Sequence, residues 1–178
     1  MDHNNDETLV EKSKDGDLHA FKILVQRHEG KVAGVIRGML GKTQEAEDVG
    51  QEVFIRFYES LSNFRGDAAV STYLIRIAIN LSLNELKRRK KKSFFSIDLA
   101  EGKATEKTED RHDLKEMLEM EINRLEPEFR AVVTLRLVEG YSTQETAEIL
   151  KIPLGTVLSR LARSQKKLQS TLSKYLIS

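Results

Sequence analysis

Apolar residues recur at i, i+3, i+4 and i+7 along most of this chain, the pattern of helices that bury one face. The first segment, Glu7 to His28, is interrupted at Asp15-Gly16-Asp17, a turn sequence, after which Phe21, Leu24, Val25 and His28 share a face. Val32, Val35, Ile36, Met39 and Leu40 follow, and Gly41 supplies a C-cap. Thr43 is placed to cap a third helix whose first turns hold Glu45, Glu47 and Asp48, acids suited to a helix N-terminus. Its inner face is Val49, Val53, Phe54, Phe57 and Leu61. Residues 62–70, with Arg65-Gly66-Asp67, read as a loop, and Ser71 caps a long helix running to about Arg89. These four helices suffice for one compact unit.

Periodicity fades and charge rises over residues 93–110, which read as a linker with Phe94, Phe95 and Ile97 as an apolar patch able to dock. A second helical unit follows, from Leu114 to Leu125 and from Pro127 to Val138. Residues 142–168 then describe a helix-turn-helix: Ser142 or Thr143 precedes a short helix with Thr146, Ala147 and Leu150 inward. Lys151-Ile152-Pro153 makes the turn, and Val157, Leu161 and Leu168 line one face of the second helix. A small residue at Ala147 lets the two helices cross closely. The second helix can then offer its N-terminal residues to base edges and nearby cations to phosphates. Thr156, Ser159, Arg160 and Arg163 lie at or near that end, followed by Lys166 and Lys167. The fold expected is therefore all-α, with two small helical domains: a four-helix N-terminal unit over 1–92 and a helix-turn-helix unit over 113–178. A flexible acidic linker, 93–112, joins them.

Charge sharpens this picture. The 29 Lys and Arg nearly balance the 28 Asp and Glu, but they are segregated along the chain. Lys87 to Lys92 are six consecutive bases; residues 98–128 hold 11 acids against 5 bases, and residues 129–178 hold 8 bases against 3 acids. Two polyanion-facing surfaces separated by an acidic stretch fit that layout. The absence of Cys excludes a disulfide framework and thiolate chemistry. No apolar run approaches the ~18 residues of a membrane span. The acidic N-terminus is unlike a signal peptide, so a soluble intracellular protein is expected. The four His are scattered, with no HExxH and no P-loop, so neither metal, cofactor nor enzymatic activity is expected.

On the long helix, Tyr73, Arg76, Asn80, Asn84 and Lys87 fall within an arc of roughly 80° at helical geometry. One aromatic, two carboxamides and two cations on a stripe suit single-stranded nucleic acid: rings stack on unpaired bases, amides read their edges and cations hold the backbone. An ordinary solvated helix face is the competing reading.

Residues 46–91 (AEDVGQEVFIRFYESLSNFRGDAAVSTYLIRIAINLSLNELKRRKK) and 125–168 (LEPEFRAVVTLRLVEGYSTQETAEILKIPLGTVLSRLARSQKKL) together resemble bacterial RNA polymerase sigma factors of the extracytoplasmic-function type. The resemblance runs from Leu9 to about Leu172, with the motifs in order. It implies two helical domains, regions 2 and 4, that bind core polymerase and recognise the −10 and −35 promoter elements. By this resemblance the helix matching residues 46–61 docks on the polymerase clamp, with Asp48, Gln51, Glu52, Ile55, Arg56 and Tyr58 as contacts. The loop 62–70 and the helix after it correspond to the element that captures a flipped non-template base. Asn63, Phe64, Ser71, Thr72, Tyr73 and Asn80 form or flank that pocket, and Lys87, Arg88 and Arg89 hold phosphates. Extracting a base costs a few kcal/mol of stacking and pairing, which an aromatic, hydrogen-bonding receptor offsets. The helix-turn-helix reads the −35 duplex, and the acidic linker threads toward the polymerase active site, mimicking RNA.

Tyr73 stands where many relatives have Trp, Leu158 occupies a recognition position that is often basic, and Ser164-Gln165 replaces a common Ala-Arg. An apolar residue at 158 either meets a thymine methyl or weakens −35 affinity. The resemblance also implies an anti-sigma partner, a cytoplasmic bacterial location and a monomer when free that binds duplex promoter DNA poorly by itself. The alternative is a helix-turn-helix regulator that binds duplex DNA without polymerase. That reading leaves the stripe on the long helix and the helix over 46–61 without a task.

Overall fold

A computed structural model describes residues 5–97 and 114–176, all of them helices and short connections. The acidic stretch expected to link the two units lies outside the described residues for the most part, as do the side chains of Phe94, Phe95 and Ile97.

Helix α1 (Asp6–Lys14) begins at Asn5, whose side chain accepts from the Thr8 N–H at 2.8 Å. The turn at Gly16, with φ +91°, leads to Asp17, which caps α2 (Leu18–Leu40) by accepting from the N–H groups of His19 and Ala20. The bond from Ala20 leads the causes that hold the Asp17 carboxyl below its ordinary pKa. His28 is buried on α2 with Nε2 2.8 Å from Asp6 Oδ2, so its place is to tie α1 to α2. Helix α2 ends at Gly41, at φ +75°, which donates to Arg37 O at 2.8 Å. Thr43 caps α3 (Gln44–Ser60), and a single 3₁₀ turn (Leu61–Asn63) precedes the loop.

Helix α4 (Val70–Ile97) differs from expectation at both ends. The backbone carbonyl of Ala69 already accepts the first helical bond, from Tyr73, so Ser71 lies inside the helix rather than capping it. Beyond Arg89 the helix continues for two further turns, because Lys and Arg are good helix formers and no Gly or Pro interrupts them. Leu24, Val35 and Met39 of α2, Val53 and Phe57 of α3, and Leu74 and Ala78 of α4 are wholly buried and form the N-terminal core, closed on one side by Leu9 and Val10.

The second unit comprises α5 (Leu114–Asn123), α6 (Pro127–Val133), α7 (Thr143–Leu150) and α8 (Leu154–Leu176). Ser142 and Glu145 form a reciprocal capping box at the start of α7, and Lys151 takes the left-handed conformation (φ 53°) in the turn to α8. Thr146, Ala147 and Val157 are buried where α7 and α8 cross. After α6 the helix widens into one π turn, Thr134–Val138, in which Glu139 N–H donates to Thr134 O five residues back.

The two units share apolar packing. Ala131, Leu135 and Ile149 of the C-terminal unit belong to the same buried cluster as the α2, α3 and α4 core. Contact is close because α2 offers bare backbone at two positions. A Cβ at Gly38 would lie 2.5 Å from Thr134 Cγ2, and one at Gly34 would lie 2.6 Å from Glu139 Oε1. Arg130, also buried, donates to Met39 O at the end of α2 (2.8 Å) and to Asn123 O and Leu125 O of its own unit. Burial lowers its guanidinium pKa, and the charge of Arg89 nearby acts in the same direction. Both arginines converge on the negative end of α2, where unpaired carbonyls require donors.

Candidate nucleic-acid interface

Helix α3 is amphipathic, with Ala46, Val53 and Phe57 buried, and this turns the opposite face outward. Asp48, Gln51, Ile55, Arg56 and Tyr58 are exposed there and Glu52 is half-exposed. Ile55 and Tyr58 keep 51% and 43% of their surface accessible, which is high for large apolar side chains on one turn. Arg56 Nε donates to Glu52 Oε1 at 2.7 Å, and Phe21 meets the Tyr58 ring edge-on with centroids 4.9 Å apart. A groove of about 880 Å³ runs beside this face between α2 and α3, with Val32, Ile36, Gly50 and Phe54 in its wall.

The loop and α4 build a second surface. Phe64 and Tyr73 pack edge to face at 5.1 Å, and both rings lean on buried Phe57, at 6.0 and 5.9 Å. Tyr73 is therefore a half-buried ring held in an aromatic triad, with Asn63 exposed at the mouth and Ser71 and Thr72 half-exposed beside it. Asn80, Asn84 and Lys87 are exposed along the stripe expected from the sequence.

The arginines of this surface have other partners. Arg76 donates from Nε and Nη2 to Glu148 O, the carbonyl near the end of α7, at 3.2 and 3.0 Å. Arg88 makes a two-point bridge to Glu85 at 2.7 and 3.0 Å. That bond holds the Glu85 carboxyl below its ordinary pKa despite burial, and raises Arg88 in turn. Arg89 reaches Leu40 O (3.1 Å), Thr43 Oγ1 (2.9 Å), Glu85 (3.3 Å) and Glu45 (3.4 Å), joining the end of α2 and the start of α3 to α4. Its hydrogen-bonding geometry is that of a residue fixing helix positions.

On the third surface, the start of α8, Leu158, Ser159, Arg163, Lys166 and Lys167 are exposed and Thr156 and Arg160 half-exposed. Ser159 Oγ donates to Thr156 O at 3.1 Å. Leu158 keeps 49% of its surface accessible, with Leu154 one turn before it also exposed. Ser164 is buried and donates to Arg160 O at 2.8 Å, so a hydroxyl at this position is satisfied within its own helix. The buried faces of α7 and α8 thus aim this set of residues outward together.

Sequence reasoning missed Glu85, Arg130 and the α2 glycines. Signals for two of these existed: Glu85 stands three and four residues before Arg88 and Arg89, the spacing of helical ion pairs. Gly30, Gly34 and Gly38 repeat every fourth residue, which places them on one helix face. Among the described residues no group of three or more His, Cys, Asp or Glu side chains could hold a metal ion, and no helix is long and apolar enough to cross a membrane.

Comparison with known proteins matches this geometry. The sequence profile of sigma-70 region 2 matches residues 24–92 and that of sigma-70 region 4 matches residues 115–168. The chain is 35% identical to the RNA polymerase sigma-H factor of Pseudomonas aeruginosa over 96% of its own length and 95% of that protein's. It is 33% identical to the ECF RNA polymerase sigma-E factor of Escherichia coli K12, covering 93% of each chain. With the ECF sigma factor SigW of Bacillus subtilis it shares 30% over 92% and 94%. In fold it is similar to CnrH, solved in complex with the cytosolic domain of CnrY (TM-score 0.70, 22% identity, 95% and 97% covered). It is also similar to the sigma factor RpoE of Bartonella quintana, solved with the anti-sigma factor NepR (TM-score 0.68, 20% identity, 86% and 96% covered). The chain therefore belongs to the sigma-70 family as an extracytoplasmic-function-type sigma factor, which directs RNA polymerase to promoters through regions 2 and 4 and is not itself an enzyme.

Proposed function

We propose that this sigma factor docks on core RNA polymerase with the outer face of α3, captures the −10 non-template strand between loop 62–70 and α4, and reads the −35 duplex with the start of α8. The observation that carries the reading is the α3 face, where all six residues expected at the clamp sit on the outward side while Val53 and Phe57 close the core behind them. An apolar pair ringed by charged residues resembles the anchors and rim of a protein interface. At the −10 surface, Phe64 and Tyr73 supply the ring edges of a base pocket, flanked by Asn63, Ser71, Thr72 and Asn80. Arg76, Asn84, Lys87 and Arg88 follow the strand, and Arg89 sets the position of the helix that carries them. At the −35 surface, Thr156, Leu158 and Ser159 meet base edges, Leu158 against a thymine methyl. Arg160, Arg163, Lys166 and Lys167 hold phosphates.

The protein acts in the cytoplasm, free as a monomer, and is held inactive by an anti-sigma factor, as the Bartonella quintana RpoE structure contains one. The domain limits 1–92 and 113–178, with the linker between, describe its working parts.

Retention of purified core RNA polymerase by the immobilised chain tests the reading, with Ile55→Asp and Tyr58→Ala as variants. Both are surface changes, so the circular dichroism spectrum stays that of the parent. Ile55→Asp is expected to weaken retention about 30-fold, the equivalent of ~2 kcal/mol for an interface anchor. Equal retention by parent and both variants would remove α3 from the polymerase interface.

A further inference from the structure

Loop 62–70, which carries residues assigned to base capture, is anchored by a few side chains. Leu61 and Val70 at its two flanks are buried, and Phe64 packs in the aromatic triad, while Arg65, Gly66 and Asp67 between them are exposed. The Phe64 N–H donates to Leu61 O at 3.0 Å, which closes the 3₁₀ turn and sets the course of the chain into the loop. A receptor for an unpaired base needs its groups in place before the strand arrives, because ordering them on binding costs free energy. Leu61 is therefore an anchor of the pocket as well as of the core.

Behind Leu61 lies α1. This 9-residue helix packs on α2 and on the 3₁₀ turn, and its Leu9 and Val10 belong to the same buried cluster as Leu61. A helix so short is not stable by itself in water, so its place depends on the contacts it makes. Asp6, half-buried in its first turn, supplies the polar ones: Oδ1 accepts from Arg27 Nη1, and Oδ2 stands 2.8 Å from Nε2 of buried His28. Both partners belong to α2, so one carboxylate fastens the start of α1 to it. The sigma-70 region 2 profile begins at residue 24, and α1 lies wholly before it.

We propose that α1 is a positioning element for the base-capture pocket: Asp6 fastens it to His28 and Arg27, and α1 in turn holds the Leu61–Asn63 turn that presents Asn63 and Phe64. Release of α1 loosens the pocket and lowers capture of the −10 strand, while the outer face of α3 still docks on polymerase. Asp6 acts through the turn and not on DNA. This role rests on the assignment of the −10 strand to loop 62–70 and α4, and it adds a support from outside the region 2 profile.

Holoenzyme formed from core RNA polymerase and this chain selects strands from a single-stranded DNA 20-mer pool of randomised sequence. One recovered strand that core polymerase alone does not bind is labelled with fluorescein as the probe. Asp6→Ala holoenzyme is expected to bind it about fivefold more weakly, with retention of core polymerase equal to the parent's. Asp6→Asn, which keeps an acceptor for His28 and Arg27, is expected to bind within about twofold of the parent. Hydrogen exchange in the free chain gives a readout that a merely stabilising residue would not produce. In Asp6→Ala the Phe64 amide is expected to exchange about tenfold faster, while the amides of Leu24 and Val53 in the core keep the parent's rates. Strand binding by Asp6→Ala equal to the parent's, or equal acceleration at Phe64, Leu24 and Val53, would overturn the positioning role.

Asn63→Ala and Asn80→Ala, both at exposed residues, separate this role from the assignment beneath it. If they weaken strand binding while Asp6→Ala does not, the −10 assignment stands and the role of α1 fails. If both leave strand binding unchanged, the −10 assignment fails and the role of α1 falls with it.

Discussion

The end of α4 and the outer face of α8 are both rich in Lys and Arg, yet their cations are used differently. On α4, Arg88 and Arg89 are bound to Glu85, and Arg89 further to Leu40 O, Thr43 and Glu45. On α8, Arg163, Lys166 and Lys167 stand exposed on one side of a helix whose buried side is Val157, Ser164 and Leu168. A run of bases reports charge, while availability depends on which carboxylates and carbonyls the fold brings near. Arg88 and Arg89 are held by bonds within α4 and to the end of α2 and the start of α3, whereas Arg163, Lys166 and Lys167 of α8 face solvent, the arrangement the proposed duplex contact requires.

The contrast predicts opposite phenotypes. The largest effect on stability is expected from Arg130→Ala, which leaves the carbonyls of Met39, Asn123 and Leu125 without their donor in a buried place. A loss of about 3 kcal/mol in urea unfolding is expected. Arg89→Ala comes next, about 2 kcal/mol, because Leu40 O, Thr43 and Glu85 lose one shared partner. If Arg89→Ala unfolds like the parent, its placement in the fold is wrong. Arg163→Ala with Lys166→Ala reverses the pattern: stability within ~0.5 kcal/mol of the parent. Holoenzyme affinity for promoter duplex falls and its dependence on salt becomes less steep by about two counterions.

The smallest effect is one of pH. Burial against α2 raises the Glu139 carboxyl pKa, opposed by Arg37 and Lys31; Lys115 and Glu119 of α5 line the same cleft, and Glu145 on α7 faces the neighbouring Tyr141. The folded chain thus binds a proton at Glu139 more readily than the unfolded chain. Its contribution to stability is fully present below the ordinary carboxylate pKa of ~4.3 and is lost as pH rises through the raised value. In Glu139→Gln this part of the pH dependence of urea unfolding is expected to vanish and stability at neutral pH to rise. An unchanged pH profile would show that Glu139 is solvated in the folded chain.

Much of the fold was legible because local rules and burial agree. The Gly16 turn, the Gly41 and Thr43 caps, the Ser142 cap and the inward Ala147 all follow from residue type and spacing. The far end of α4 was not legible because the run Lys87–Lys92 interrupts the apolar period without interrupting the helix, Lys and Arg being good helix formers. At the candidate site, exposure of Asn80, Asn84 and Lys87 followed from period alone. The partner of Arg76 did not, since Glu148 lies 72 residues away and accepts through its backbone, which no side-chain pattern reveals. Packing between the units was half legible in Gly34 and Gly38, but their counterparts Thr134 and Glu139 open and follow a π turn that periodicity does not announce.

The most direct test of the whole account is run-off transcription by core RNA polymerase supplemented with this chain, on a library of promoter-length DNA, with the transcripts sequenced. The account predicts transcripts that start downstream of a shared pair of −10 and −35 elements. With Arg163→Ala/Lys166→Ala, selection at the −35 element relaxes while the −10 element is retained. Transcripts without a shared element, or a variant that loses −10 selection and keeps −35, would contradict it.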